Sequence, residues 1–122
     1  MPRIRCVRPL CLALAALALP PAGFAQEDPW IGRWASPRCG ADATEIVLGR
    51  RTLDLSTFET VCTVRRAGRR GDVYELDTGC RGEGGSSRAT FSVRVDGDVL
   101  TFVGQKGFAF DPKRFVRCPG RR

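Results

Sequence analysis

Apolar and polar residues alternate over short stretches from Trp30 onward, and Gly, Asp or Ser residues separate these stretches. Alternation with a period of two is typical of strands that bury one face and expose the other. We find no run with the three- and four-residue spacing of an amphipathic helix. The pattern predicts an all-β domain of seven or eight short antiparallel strands.

The clearest strand pair surrounds Asp96 and Gly97. An Asp-Gly pair favours a type I′ turn, in which both central residues have positive φ. A two-residue loop made of this pair places Val93 opposite Leu100 on the apolar face of the hairpin. The turn and the hydrophobic pattern therefore predict the same strand pair.

A second hairpin is predicted between Phe58 and Cys80, because apolar and polar residues alternate on both of its strands. Cys62 and Cys80 fall on the same side of this hairpin, so a disulfide between them is feasible. The remaining strands are predicted at residues 31–35, 45–48, 52–55 and 114–118, and loops at 39–43, 81–87 and 105–112.

So small a sheet has too little core to leave its edges open, and we expect an up-and-down barrel or a compact sandwich. In a barrel the first and last strands are neighbours, so a Cys39–Cys118 disulfide could join them. A Cys62–Cys80 disulfide would then join two adjacent strands. Four cysteines nevertheless permit three connectivities. Large side chains dominate the expected inward positions and favour a filled interior. These positions are Trp34, Ile46, Leu48, Phe58, Val64, Tyr74, Leu76, Phe91, Val93, Leu100, Phe102 and Phe115.

The first 25 residues have the composition of a cleaved export signal. Arginines at positions 3, 5 and 8 precede an apolar run over residues 10–19, and small residues at 23 and 25 define a cleavage site. Ten apolar residues are too few to span a bilayer, which takes about 20. We expect residues 26–122 to form a single disulfide-stapled domain, monomeric and free of the membrane, in the periplasm or secreted.

Cleavage would remove three of the 20 basic residues and none of the 13 acidic ones, which lowers the net charge from +7 to +4. All but two of the basic residues are arginine, a bias that a GC-rich genome also produces. Arg65, Arg66, Arg69 and Arg70 lie among glycines and predict a hairpin tip with four positive charges, a candidate partner-binding surface. The loop carries no aromatic residue, so a nucleic acid is not the expected partner.

Residues that carry common chemistry are scarce. The chain has no His, which removes the usual general base and the imidazole metal ligands. It has no C-x-x-C spacing typical of zinc or redox sites. Glu75 and Asp77 point away from the apolar face of their strand, toward water. We therefore predict no catalytic residue, no metal and no cofactor, and a protein that is not an enzyme.

The tripeptide Gly32-Arg33-Trp34 resembles the Gly-x-Trp signature of lipocalins and the wider calycin barrels. The resemblance implies that Trp34 plugs the closed end of a barrel and that an arginine of the last strand, Arg114 or Arg117, packs over it. The chain also resembles small exported bacterial barrels, namely periplasmic metalloprotease inhibitors and uncharacterised Cys-containing proteins of alphaproteobacteria. In those inhibitors a free N-terminal segment enters the protease, and residues 26–29 occupy the matching place.

Two functions follow from these observations. The first is a periplasmic or extracellular protein-binding module, inhibitor-like in its action, with residues 26–30, 66–72 and 81–88 as contacts. The alternative is a carrier that holds a small molecule or lipid inside the barrel, which requires an interior cavity of several hundred cubic ångströms.

Overall fold

The alternating segments form eight antiparallel strands that close into a barrel. The computed structural model describes residues 27–119, so the predicted export signal lies outside the described residues. The strands are β1 (Gly32–Ser36), β2 (Thr44–Leu48), β3 (Thr52–Leu55), β4 (Thr60–Arg70), β5 (Val73–Gly82), β6 (Gly85–Asp96), β7 (Val99–Lys106) and β8 (Arg114–Arg117), with one 3-10 turn at Ser56–Phe58. Within residues 27–119 no helix is long and apolar enough to cross a bilayer.

Each strand pairs with the next along the chain, and β8 returns to pair with β1. At this seam Trp34 lies opposite Arg117 and Ala35 opposite Val116. The predicted all-β fold is confirmed, and of the two predicted architectures the chain adopts the barrel. Closure satisfies the main-chain groups that an open sheet would leave at its first and last strands.

The β6–β7 hairpin buries the predicted apolar side chains, but its strands pair in a different register. Val93 pairs with Phe102 and Val95 with Leu100, so the predicted Val93–Leu100 pair is wrong. The loop consists of Gly97 and Asp98, and only Gly97 has positive φ, at 66°. A single positive φ at the first loop position matches a type II′ turn, which places Gly there. The turn therefore sits one residue later than the Asp-Gly rule predicts.

Two further predictions fail around the β4–β6 strands. Residues 81–87 are not a loop, because β5 continues to Gly82 and β6 begins at Gly85, opposite it. A Cβ at residue 82 would lie 2.5 Å from the main-chain oxygen of Glu59, so glycine permits close strand packing there. Phe58 lies in the 3-10 turn rather than on a strand.

Large side chains fill the barrel. Nine of the twelve predicted inward residues are buried and the other three pack half-buried against them, so the predicted core is confirmed. Trp30 and Trp34 lie within one end, both at most 1% exposed. At the other end the Phe58 ring stacks on Phe110 with centroids 4.5 Å apart. Burying each large apolar side chain contributes about 1.5–3 kcal/mol.

Two disulfides join the strands with the predicted connectivity, Cys39–Cys118 and Cys62–Cys80. Cys62 and Cys80 lie directly opposite each other on β4 and β5. Cys39 follows β1 and Cys118 follows β8, so their bond ties the two strands of the seam. Paired cysteines of this kind persist outside a reducing cytosol, which places the folded protein in an oxidising compartment.

Replacing Cys39 and Cys118 together by Ala should lower the free energy of unfolding by about 4 kcal/mol. Their bond spans 79 residues and therefore restricts the unfolded chain strongly. Urea titration of the double variant measures the change. Val103→Ala is the control, because that side chain is 44% exposed and should shift stability by less than about 0.5 kcal/mol. A double variant as stable as the control would contradict this account of the seam.

Candidate binding surface

The Gly-x-Trp tripeptide lies at one end of the barrel, and Arg117 covers its tryptophan. The Arg117 Cζ atom is 4.3 Å from the centroid of the Trp34 ring, a cation–π contact. Gly32 has φ of 148°, and a Cβ there would lie 2.8 Å from Arg117 Nη1. Glycine is therefore required where the guanidinium crosses β1. Arg114, the other candidate, is exposed and pairs with Thr101 on β7.

Arg117 also fastens the segment that precedes β1. Its Nη1 donates to the Ile31 carbonyl at 3.2 Å and its Nη2 to the Pro29 carbonyl at 2.9 Å. Its Nε lies 3.4 Å from an Asp98 carboxylate oxygen. Trp34 Nε1 donates to the Trp30 carbonyl at 3.0 Å. This end of the barrel is a structural closure, since Arg117 and Trp34 donate to main-chain carbonyls of the segment that precedes β1.

This closure changes what the inhibitor resemblance implied for residues 26–29. The Ile31 N–H donates to the Asp28 carbonyl at 3.0 Å, and Arg117 holds Pro29. The chain is thus folded into a turn against the barrel from residue 28. Glu27 is exposed, and Gln26 lies outside the described residues. Residues 28 and 29 do not form a free arm in this conformation.

The C-terminal side of the seam is held by Arg33. Its Nε donates to Glu45 at 2.7 Å and its Nη1 to the Pro119 carbonyl at 2.7 Å. The hydrogen bond to Glu45, reinforced by that carboxylate's charge, raises the pKa of the Arg33 guanidinium above its usual value. Arg33 therefore stays charged and structural, bridging β1, β2 and the end of β8.

The arginines predicted to form a hairpin tip are distributed differently. Arg65, Arg66, Arg69 and Arg70 lie on β4 itself, and the tip is the pair Gly71 and Asp72. The predicted four-charge tip is thus wrong, because strand pairing continues to Arg70 and Val73. Gly71 supplies the positive φ, 66°, that the two-residue turn requires.

Acidic residues of the same hairpin pair with two of these four arginines. Arg66 lies 3.7 Å from Asp77, and Arg70 lies 3.4 Å from Glu75. The Arg69 guanidinium covers the Tyr74 ring at 5.4 Å. Arg65 has no ion pair with the described residues. Exposed ion pairs contribute only about 0–1 kcal/mol, so these arginines can exchange partners at little cost.

The outer edge of β4 is uncovered beyond the end of β3. β3 reaches β4 at the Thr52–Thr63 pair, and the Val64 N–H then donates to the Arg51 carbonyl. Since Arg70 and Val73 flank a two-residue turn, they form a hydrogen-bonded pair, and such pairs alternate along the ladder. The main-chain N–H and C=O groups of Ala67 and Arg69 therefore point away from β5. No strand of the described chain pairs with them.

Three clefts of the described residues lie on the outside of the barrel. Two of about 420 Å³ lie over β4, β5 and β6 and share Arg65 and Arg88. One of about 480 Å³ lies beside the seam, near Arg33 and Arg117. Neither the clefts over the strands nor the seam cleft is lined by Phe91 or Phe102, the side chains at the middle of the barrel. None of these three clefts is the interior cavity that the carrier alternative requires.

Within residues 27–119, no three Cys, His, Asp or Glu side chains come together as a metal site would require. No protein-family model, no curated protein and no solved structure matches the chain.

Arg117→Gln should lower the free energy of unfolding by about 2 kcal/mol, because two charged hydrogen bonds and the contact with Trp34 are lost. Urea titration gives the stability, and tryptophan fluorescence reports the change around Trp34. Arg114→Gln removes the same charge from an exposed position and should change neither. Equal effects of the two substitutions would contradict the anchoring role of Arg117.

Proposed function

We propose that this protein is an exported, non-enzymatic binding module that acts on a protein partner in the periplasm or outside the cell. Its binding element is the β4–β5 hairpin, with the uncovered edge of β4 at its centre. The leader-like composition of residues 1–25 and the two disulfides support export. The inhibitor-like action suggested by the family resemblance is one form that such binding takes.

The observation that carries this proposal is the uncovered edge at Ala67 and Arg69. An extended segment of a partner can add a strand there, and its main-chain groups then bond to the free N–H and C=O groups. Arg65, Arg66 and Arg70 flank this edge, so the added strand should carry acidic side chains. A second copy of this chain is a poor occupant, because its own β4 presents the same positive charges.

The filled interior of the barrel also supports a binding function on its outer surface. The two tryptophans at one end and the Phe58–Phe110 stack at the other leave the barrel packed. A binding function then depends on the outside of the barrel, where loops and strand edges are exposed. The carrier alternative would require the buried aromatic residues to move apart.

Ala67→Pro tests the edge directly. Proline removes the N–H that points away from β5 and leaves the β4–β5 hydrogen bonds in place, so the barrel should fold normally. Ala67→Thr is the matched control, because threonine keeps the N–H and suits a strand. We expect a partner captured by the oxidised wild-type domain to bind Ala67→Pro at least about tenfold more weakly than wild type. The same partner should bind Ala67→Thr as tightly as wild type.

Capture uses periplasmic extract and culture medium of the source cells, with quantitative mass spectrometry of the retained proteins. A partner retained equally by wild type and Ala67→Pro would show that the edge is not the binding element. Failure to retain any protein from either fraction, together with a lipid bound to the domain in native mass spectrometry, would favour the carrier instead.

A further inference from the structure

We propose that the outer face of β4, β5 and β6 carries a second site, which binds a phosphomonoester group. The site is formed by Arg65, Arg81 and Arg88 around Gly79. It does not depend on the protein-binding role of the β4 edge, since that edge binds through the main-chain groups of Ala67 and Arg69. Arg65 is the one side chain that the two proposals share.

Strand pairing brings these residues together from three distant parts of the chain. Gly79 on β5 lies opposite Thr63 on one side and Arg88 on the other. Arg81, two residues along β5, shares the outer face and lies opposite Ser86. Neighbouring strands are about 4.8 Å apart, so side chains on one face of three strands can reach a common ligand.

A β-bulge aims Arg65 at this face. The register moves from Val64–Thr78 to Arg66–Asp77, so Arg65 is an extra residue on β4. Because of the bulge, two consecutive arginines lie on the outer face, where strict alternation would turn one of them into the barrel. Bulges of this kind often occur beside functional sites, where they redirect a side chain.

Gly79 provides the space that Arg65 occupies. A Cβ at residue 79 would lie 2.9 Å from Arg65 Nη2 and 3.0 Å from its Nε. Any side chain at this position would displace the guanidinium. Gly79 lies in a regular part of β5, where glycine is less favourable than alanine by about 0.5–1 kcal/mol. The close approach of Arg65 explains why glycine occupies this position.

The three guanidinium groups have no carboxylate partner among residues 27–119, unlike Arg66 and Arg70 on the same hairpin. The cleft that they line has a volume of about 420 Å³ and contains no acidic side chain. Its other lining residues include three hydroxyl donors, Thr63, Ser86 and Ser87. Like charges on adjacent strands repel each other, and a bound anion would relieve that repulsion.

The donor set matches a phosphomonoester. Guanidinium forks bind tetrahedral oxyanions in a bidentate manner, and hydroxyl groups complete the coordination of the remaining oxygens. Three positive charges are offset better by a phosphomonoester, with a charge of about −1.5 to −2, than by a single carboxylate. The cleft volume lies within the range of small-molecule sites, about 300–1,000 Å³, and leaves room for a polar body such as a sugar.

The second cleft on this face is a weaker anion site. It is lined by Arg65 and Arg88 but also by Asp77. Asp77 already accepts a hydrogen bond from Thr90 at 3.2 Å and lies near Arg66. Its carboxylate would repel an anion, so the ligand should sit on the Arg81 side of Gly79.

The test follows amide chemical shifts of the oxidised, isotope-labelled domain during titration with glucose 6-phosphate at low ionic strength. We expect saturable shifts centred on Gly79, Ser86 and Arg88. Arg88→Gln should weaken binding about tenfold. Arg114→Gln removes one exposed charge on β8 and should leave the affinity unchanged. Gly79→Ala displaces the flexible Arg65 side chain and should weaken binding with the barrel intact.

A parallel arm separates the two sources of a phosphomonoester. It measures co-sedimentation with phosphatidylcholine vesicles that contain phosphatidic acid, against phosphatidylcholine alone. Saturable binding of the sugar phosphate assigns the site to a soluble ester. Binding to the acidic vesicles that depends on Arg88, without binding of the sugar phosphate, assigns it to a lipid headgroup. Absence of both, or equal weakening by Arg88→Gln and Arg114→Gln, overturns the proposal. Neither result depends on the outcome for Ala67→Pro.

Discussion

The pairing of β1 with β8 is the contact on which the rest of the structure depends, because it converts an eight-stranded sheet into a barrel. The strands share only two pairs, Trp34–Arg117 and Ala35–Val116. So short a ladder is reinforced from outside by the Cys39–Cys118 bond and from the barrel end by Arg117. One arginine thus covers the tryptophan, fastens the preceding segment and lies in the closing strand.

Large aromatic side chains close both ends of the barrel. Trp30 and Trp34 fill one end, and a loop that carries Phe110 folds against Phe58 at the other. In a domain this small the aromatic residues needed for stability occupy the space a ligand would use. The outer faces of the long strands β4, β5 and β6, and the edge of β4 that short β3 does not cover, are the surfaces on which we propose that binding takes place.

Alternation in the sequence predicts which residues share a face, but it does not determine strand register. The all-β fold and the core could be predicted for this reason, since both depend on which residues share a face. Alternation left two points open, barrel or sandwich and three disulfide connectivities, and the pairing of β1 with β8 and the two disulfide bonds decide them. The β6–β7 register could not be predicted, because Gly97 rather than Asp96 begins the turn and Val103 is an extra residue on β7. Trp30 was also missed, since it lies before the first strand, where alternation gives no signal.

The arginines show why site prediction fails where fold prediction succeeds. Doublets such as Arg69-Arg70 are conspicuous in the sequence, yet the pleat separates the two side chains. Arg70 then pairs with Glu75, and Arg69 lies over the Tyr74 ring. Arg81 and Arg88 are isolated in the sequence and distant from Arg65, and only the pairing of Gly79 with Arg88 and the bulge at Arg65 bring the three to one cleft. A charged side chain is available to bind a ligand when the strand register leaves it without an ion pair. Alternation alone does not determine that register.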